Sequence, residues 1–99
     1  MNYKFHSEAR REVISATKHY QNIYTRLGKD FRNEIEETIS RILANPKAWH
    51  PFKKKYRRCL LKKFPFGIIY KVDENKDICL IFAVMHLHRN PGYWKDRKF

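Results

Sequence analysis

The first half of the chain repeats its apolar residues with the period of an α-helix. Apolar side chains recur at spacings of three and four over residues 9–27 and again over residues 31–43, which places each set on one helical face. Ser7 and Asp30 precede these segments as predicted N-caps, and Gly28 follows the first as a predicted C-cap. Because only about two residues remain between the helices, we expect an antiparallel hairpin whose apolar faces pack on a sheet.

The second half changes to the two-residue alternation of β-strands. Strands are predicted at residues 56–63, 66–72 and 78–86, and the polar turn 73–77 joins the last two as a hairpin.

The last of these strands is apolar on both faces. Strict alternation places Phe82 and Val84 on one face and Ile81 and Ala83 on the other. A strand buried on both sides lies in the interior of a sheet.

Length and composition fit a single domain. The chain has 99 residues, of which 42% are hydrophobic and 15% aromatic, enough to close a small core without disulfides. Residues 3–6 predict a short N-terminal strand, so the order becomes β-α-α-β-β-β. We therefore expect one α+β domain spanning residues 1–99.

The sequence indicates no membrane span, no disulfide and no metal site. No apolar stretch approaches the roughly 18 residues of a membrane span, so we expect a cytoplasmic protein with no membrane partner. Cys59 and Cys79 lack Cys-x-x-Cys spacing and are predicted to be reduced core thiols. A zinc site built from His86, His88 and a cysteine would lack a fourth ligand, and we expect neither a metal nor a cofactor.

Positive charge is concentrated in the second half of the chain. The formal net charge is +12, and residues 53–99 supply 13 basic and 4 acidic side chains, a net +9. The run Lys53-Lys54-Lys55-Tyr56-Arg57-Arg58 suits phosphate as a counter-charge, although a solvated strand edge is the alternative interpretation. Arg57 and Arg58 should point to opposite faces of their strand. The candidate residues for binding nucleic acid or another target are Lys53, Lys54, Lys55, Arg57, Arg58, Lys63, Arg89, Trp94 and Arg97.

A second cluster follows the last strand. Histidine is the side chain suited to proton transfer at neutral pH, so His86 and His88 could act as general base and acid in RNA cleavage, with Arg58 stabilising the phosphorane and Tyr93 nearby. The alternative is that these histidines are hydrogen-bonded structural residues. Tyr93 and Trp94 could stack on nucleobases, but an aromatic pair after a Pro-Gly turn more often covers a sheet.

The acidic residues of the second helix are interpreted as its solvated face. Glu34, Glu36 and Glu37 would be balanced there by Arg32 and Arg41 at helical spacing. No paired-carboxylate hydrolase is indicated.

Four blocks of sequence resemble the RelE/ParE superfamily of toxins from bacterial type II toxin–antitoxin systems, over almost the whole length. The two more specific blocks lie in the second half of the chain. The blocks are Phe5-His6-Ser7-Glu8-Ala9, Leu27-Gly28-x-x-Phe31, Arg58-x-Leu60-x-x-x-Phe64-Pro65-Phe66-x-Ile68-x-Tyr70-x-Val72, and Ala83-Val84-x-His86-x-x-Arg89-x-Pro91-x-Tyr93-Trp94-x-x-Arg97.

The resemblance implies a fold and a function. The implied fold is an N-terminal helical hairpin on a twisted antiparallel sheet of three to four strands. The resemblance implies one of two activities. RelE-like members act as ribosome-dependent endoribonucleases, whereas ParE-like members poison DNA gyrase and are not nucleases. The ending after His86 looks ParE-like, and only eight residues remain after Pro91, which leaves little room for a further helix bearing a catalytic tyrosine.

The implied partners are a cognate acidic antitoxin and a cellular target. The antitoxin would wrap the basic surface with a partly disordered segment and form a toxin–antitoxin hetero-oligomer. The target would be DNA gyrase or, in the alternative, the ribosome and its mRNA. A non-toxic, degenerate nucleic-acid-binding member is the third interpretation, for which the charge alone would suffice.

Overall fold

The computed structural model describes residues 1–99 and has two helices on a mixed five-stranded sheet. The strand order is β1-β5-β4-β3-β2, with β1 parallel to β5 and every other neighbouring pair antiparallel. The elements are β1 Asn2–Phe5, α1 Ser7–Ile23, α2 Thr25–Ala44, β2 Pro51–Phe52, β3 Tyr56–Leu60, β4 Phe66–Asp73 and β5 Ile78–His86.

The α+β class and the element order are confirmed, and β5 is an interior strand as predicted. The sheet has five strands rather than three to four, and it is mixed rather than antiparallel. The additional strand, β2, has two residues, which is too short to produce a recognisable alternation. No helix is long and apolar enough to cross a membrane.

The helical hairpin turns more tightly than predicted. Tyr24 alone separates α1 from α2, and Gly28 lies inside α2 instead of capping α1. A Cβ atom at Gly28 would lie 2.9 Å from the Cβ of Gln21 and 3.0 Å from the carbonyl oxygen of Thr17. Gly28 therefore permits close approach of the two helices.

Both predicted helix N-caps are also wrong, Ser7 by one residue and Asp30 by six. His6 is the N-cap of α1, and its Nδ1 accepts a hydrogen bond from the backbone N–H of Glu8 at 3.0 Å. Ser7 is the first helical residue. Asp30 lies within α2, where its carboxylate is 3.9 Å from Arg26.

The sheet separates two apolar clusters. The larger lies between the sheet and the helices, and Phe66, Ile68, Tyr70 and Val72 of β4 all contribute to it, as their alternation predicts. The smaller lies on the opposite face, here called the tail face, and it contains Ile69, Phe82, Ala83, Met85 and Trp94.

A β-bulge interrupts the predicted alternation of β5. Ile69 pairs with Ala83 while the next residue, Tyr70, pairs with Ile81, so Phe82 is the additional residue. Phe82 and Ala83 consequently both belong to the tail-face cluster, whereas Val84 joins the helix-side cluster. The face assignment predicted for residues 82–84 was wrong for this reason.

Glu34 is a buried structural residue and not part of a solvated acidic face. Its side chain is 7% exposed, and its carboxylate accepts hydrogen bonds from the backbone N–H groups of Lys62 and Lys63, the latter at 3.0 Å. This contact ties α2 to the chain that follows β3. Glu36 and Glu37 are exposed as predicted.

Candidate functional site

The C-terminal segment, residues 87–99, is anchored on the carboxylate of Glu12. Glu12 lies on α1, and its side chain is only 14% exposed. Because a carboxylate with so many donors is rigidly held, the segment is fixed against both α1 and β5. The donors are the Arg97 guanidinium at 3.0 Å, the Arg89 guanidinium at 3.3 Å, the Tyr93 hydroxyl at 2.5 Å and the Val84 backbone N–H at 3.0 Å.

The hydroxyl of Tyr93 is already hydrogen-bonded to Glu12. Burial raises the pKa of its hydroxyl, and the hydrogen bond to Glu12 raises it further. The guanidinium of Arg89 stacks on the ring at 3.6 Å from its centroid. In this arrangement Tyr93 is a poor proton donor to any substrate.

Trp94 covers the tail face of the sheet. It is 1% exposed, and its ring centroid lies 4.8 Å from that of Tyr56 and 5.9 Å from that of Phe52. The interpretation of Trp94 as cover for the sheet agrees with this position, and its ring is not accessible for stacking on a nucleobase. Arg97, 14% exposed, is likewise occupied by Glu12 and by the carbonyl oxygen of Phe82.

Of the four candidate catalytic residues, only His86 and His88 lie together, with ring centroids 5.2 Å apart. His86 packs against Phe66 on the helix side, with ring centroids 5.0 Å apart, and its Nδ1 accepts a hydrogen bond from the backbone N–H of His88 at 3.1 Å. Arg58 lies on the tail face over the ring of Phe52. The hydroxyl of Tyr93 donates a hydrogen bond to Glu12, so neither Arg58 nor Tyr93 is paired with the histidines.

The basic run occupies the turn between β2 and β3. Lys53, Lys54 and Lys55 form this turn and are exposed. Arg57 donates to the carbonyl oxygen of Trp49 at 2.5 Å, on the opposite side of β3 from Arg58, which confirms the predicted divergence of the two side chains. Lys63 and Arg89 are also exposed, although Arg89 is paired with Glu12.

An apolar groove lies beside the helical hairpin on the free side of β1. It has a volume of about 390 Å³, and two residues in its wall, Tyr3 and Ile14, are 46% and 47% exposed. Arg10, Arg32 and Glu36 line it as well. Its apolar wall consists of Tyr3, Phe5, Val13, Ile14, Ile35 and Ile39.

The sequence alone did not reveal the role of Glu12 or which residues line the groove beside the helical hairpin. Glu12 lies one helical turn from Glu8 and has no local partner that distinguishes it; its donors follow it by 72 to 85 positions. The groove depends on parallel pairing of β1 with β5, which no local pattern indicates. No three His, Cys, Asp or Glu side chains are grouped so that they could hold a metal ion.

Comparisons with known proteins agree with this architecture. The profile of a family described as the ParE toxin of the type II toxin–antitoxin system parDE matches residues 3–91. A chain of the chromosomal ParDE system from P. aeruginosa is 18% identical, with a TM-score of 0.76 over 89% of this chain and 97% of that one. The isolated RelE toxin of E. coli is 15% identical, with a TM-score of 0.62 over 95% and 92% of the chains. No curated protein matches the sequence.

Proposed function

We propose, from the premise that this chain belongs to the ParE toxins of type II toxin–antitoxin systems, that it inhibits DNA gyrase by binding and is neutralised by a cognate acidic antitoxin. The observation that carries the binding mode is the separation of His86, Arg58 and Tyr93, which lie on different sides of the sheet or are bound within the fold. A nuclease needs these groups around one phosphodiester. A toxin that acts by binding a protein does not.

The C-terminal segment is the proposed contact with gyrase. It is held on a rigid support by Glu12, so binding would not require it to be ordered at further entropic cost. Its exposed side chains include Leu87, His88, Lys95 and Lys98.

A supercoiling assay with purified chain and gyrase tests this function. We expect loss of supercoiling and accumulation of cleaved DNA that stays bound to gyrase. If neither occurs while the chain cleaves mRNA on ribosomes, the RelE-type endoribonuclease is the correct function. If expression leaves growth unchanged and neither activity is found, the chain is a non-toxic member.

The antitoxin is proposed to place apolar anchors in the groove beside the helical hairpin. An acidic segment that folds on binding needs buried apolar contacts to offset its loss of conformational entropy, and Tyr3 and Ile14 offer them. Arg10 and Arg32 at the same groove complement its charge. The net +12 would accelerate the encounter.

The substitution Ile14→Asp tests antitoxin binding independently of gyrase inhibition. The antitoxin would be the product of the reading frame adjacent to that of the toxin. We expect the variant to lose at least tenfold in affinity for this antitoxin, since an anchor is replaced by a charge that repels an acidic segment, and to inhibit gyrase unchanged. Ser15→Asp, exposed on the same helix, adds the same charge outside the groove. Equal affinity of the two variants would place the antitoxin elsewhere.

A further inference from the structure

A cationic cavity lies at the end of the sheet near the β4–β5 turn. Its volume is about 770 Å³. The antiparallel pairing of β2, β3 and β4 brings the basic turn next to Lys71 of β4, and the loop after α2 adds a further lysine. The charged side chains of its wall are Lys47, Lys54, Lys55, Arg57, Lys71, Asp73 and Glu74.

The two acidic side chains in this wall already have partners within the protein. Glu74 forms an ion pair with Lys47 at 3.0 Å, and the hydrogen bond from Lys47 holds the pKa of Glu74 below its usual range. The carboxylate of Asp73 accepts hydrogen bonds from the backbone N–H groups of Asn75 and Lys76 in the β4–β5 turn.

Three lysines in the wall have no carboxylate partner. Lys54, Lys55 and Lys71 take part in no ion pair of the structure. Lys71 instead lies over the ring of Tyr56, with its Nζ 5.4 Å from the ring centroid. Lys55 also helps to lower the pKa of Glu74, but with five basic and two acidic side chains in the wall the positive charge exceeds the negative.

Two residues of the basic turn, of which only Lys54 lines the cavity, have a left-handed backbone conformation. Lys53 and Lys54 have φ angles of +43° and +67°, in the left-handed region that glycine and asparagine adopt at least cost. The turn thus has lysines at positions where a smaller uncharged residue would relax the backbone. This arrangement favours a role for the charge in binding over one in folding.

We infer that this cavity binds the phosphate backbone of duplex DNA without sequence preference. Ammonium groups contact phosphates as point charges, and three of them without an ion pair at one cavity match a regularly spaced polyanion. No exposed aromatic ring lines the cavity, so it lacks the stacking surface that single strands use. It also offers few apolar anchors, chiefly Val72 and Leu80, for an acidic peptide. The inference does not depend on which enzyme the toxin inhibits.

Fluorescence anisotropy with a labelled DNA duplex tests the site. The cavity variant is Lys54→Ala/Lys55→Ala/Lys71→Ala, and the matched control is Lys18→Ala/Lys29→Ala/Lys62→Ala, three exposed lysines outside the cavity with the same loss of charge. We expect the cavity variant to lose tenfold or more in affinity and the control threefold or less. The slope of log K against log salt should fall by about 2 to 3 in the cavity variant.

Amine acetylation of the unmodified protein gives an independent measurement. Bound duplex should protect Lys54, Lys55 and Lys71 from the reagent and leave Lys18 and Lys29 reactive, as mass spectrometry would detect. Equal losses of affinity in the two triple variants, together with uniform protection, would overturn the inference in favour of diffuse attraction. Tighter binding of polyglutamate or single-stranded RNA than of the duplex would overturn it as well.

Discussion

Glu12 is the side chain on which the C-terminal segment depends, since its carboxylate receives two arginines and a tyrosine. Glu12→Gln removes the charge while keeping the shape. The guanidinium of Arg97 would then be largely buried without a counter-charge, and we expect a loss of about 2–4 kcal/mol in the free energy of unfolding. Urea denaturation measures this loss.

Glu8→Gln is the matched control for Glu12→Gln. Glu8 lies on the same helix and pairs with Arg11, but their side chains are 46% and 74% exposed. Solvent screens such a pair, so the change should cost less than about 1 kcal/mol. Similar losses in the two variants would mean that Glu12 does not anchor the segment.

Cys79 should make the protein less stable in alkali. Burial raises the pKa of its thiol from 9.0 to about 12, so above pH 9 the unfolded chain loses this proton while the folded chain keeps it. The unfolded state then binds fewer protons, and stability contributed by the neutral thiol is full below pH 9 and falls as the pH rises toward 12. The slope from this group should approach about 1.4 kcal/mol per pH unit.

Urea denaturation at several pH values between 8 and 10 isolates the contribution of Cys79 to the pH dependence of stability. Cys79→Ala should lower stability at neutral pH but flatten its decline with pH. Val84→Ala, at another buried position of β5, should lower stability equally at every pH because no titrating group is removed. The same decline in both variants would assign the alkaline effect to other groups, such as Cys59, whose pKa is also raised by burial.

Among the elements, the two helices depend most on close contact between their backbones at Gly28. Gly28→Ala would add about 1 kcal/mol of helix propensity, but the new Cβ would lie 2.9 Å from the Cβ of Gln21. Overpacking of this kind costs about 1–3 kcal/mol, so we expect a net loss of up to about 2 kcal/mol. Thermal denaturation measures it. Asn33→Ala, exposed in the same helix, should stabilise slightly, and stabilisation by both changes would show that the helices can separate without cost.

The elements also show what local sequence can predict. The apolar faces of α2 and β4 are long and regular, and both faces are buried as predicted, although α2 begins at Thr25 instead of after Asp30. The cap at Ser7 was wrong by one residue because the polar side chain of His6 provides it instead. The cap at Asp30 was wrong because α2 follows α1 directly, with Tyr24 as its N-cap. The bulge at Phe82 could not be predicted, since it depends on the register with β4.

The candidate site could likewise be predicted only where local sequence determines it. The basic turn at residues 53–55 and the opposed directions of Arg57 and Arg58 could be inferred from charge and from strand period. The positions of Tyr93 and Arg97 could not, because Glu12, their partner, lies about 80 residues away in sequence. Lys71 likewise joins the basic turn only through the pairing of β3 with β4.

At the scale of the whole molecule, the two binding surfaces differ in chemistry and lie on different elements. The apolar groove is built from β1, α1 and α2, and the cationic cavity from β2 to β5 and their turns at the end of the sheet near the β4–β5 turn. Because they share no residue, one partner in the groove would leave the cavity open to another. Neutralisation by an antitoxin and binding of DNA are therefore separable by substitution.

The sheet as a whole has two apolar faces but only one is covered by helices. The other relies on the C-terminal segment, where Trp94 is 1% exposed and packs against Phe52 of β2 and Tyr56 of β3. Trp94→Ala should cost about 3–5 kcal/mol and expose the tail face to an apolar dye such as ANS. Trp94→Phe should cost much less, because the ring contacts remain and the indole N–H has no hydrogen-bond partner to lose. If Trp94→Ala unfolds at the same urea concentration as the unmodified chain and binds no dye, the segment is not part of the core, and the rigid support proposed for the gyrase contact does not exist.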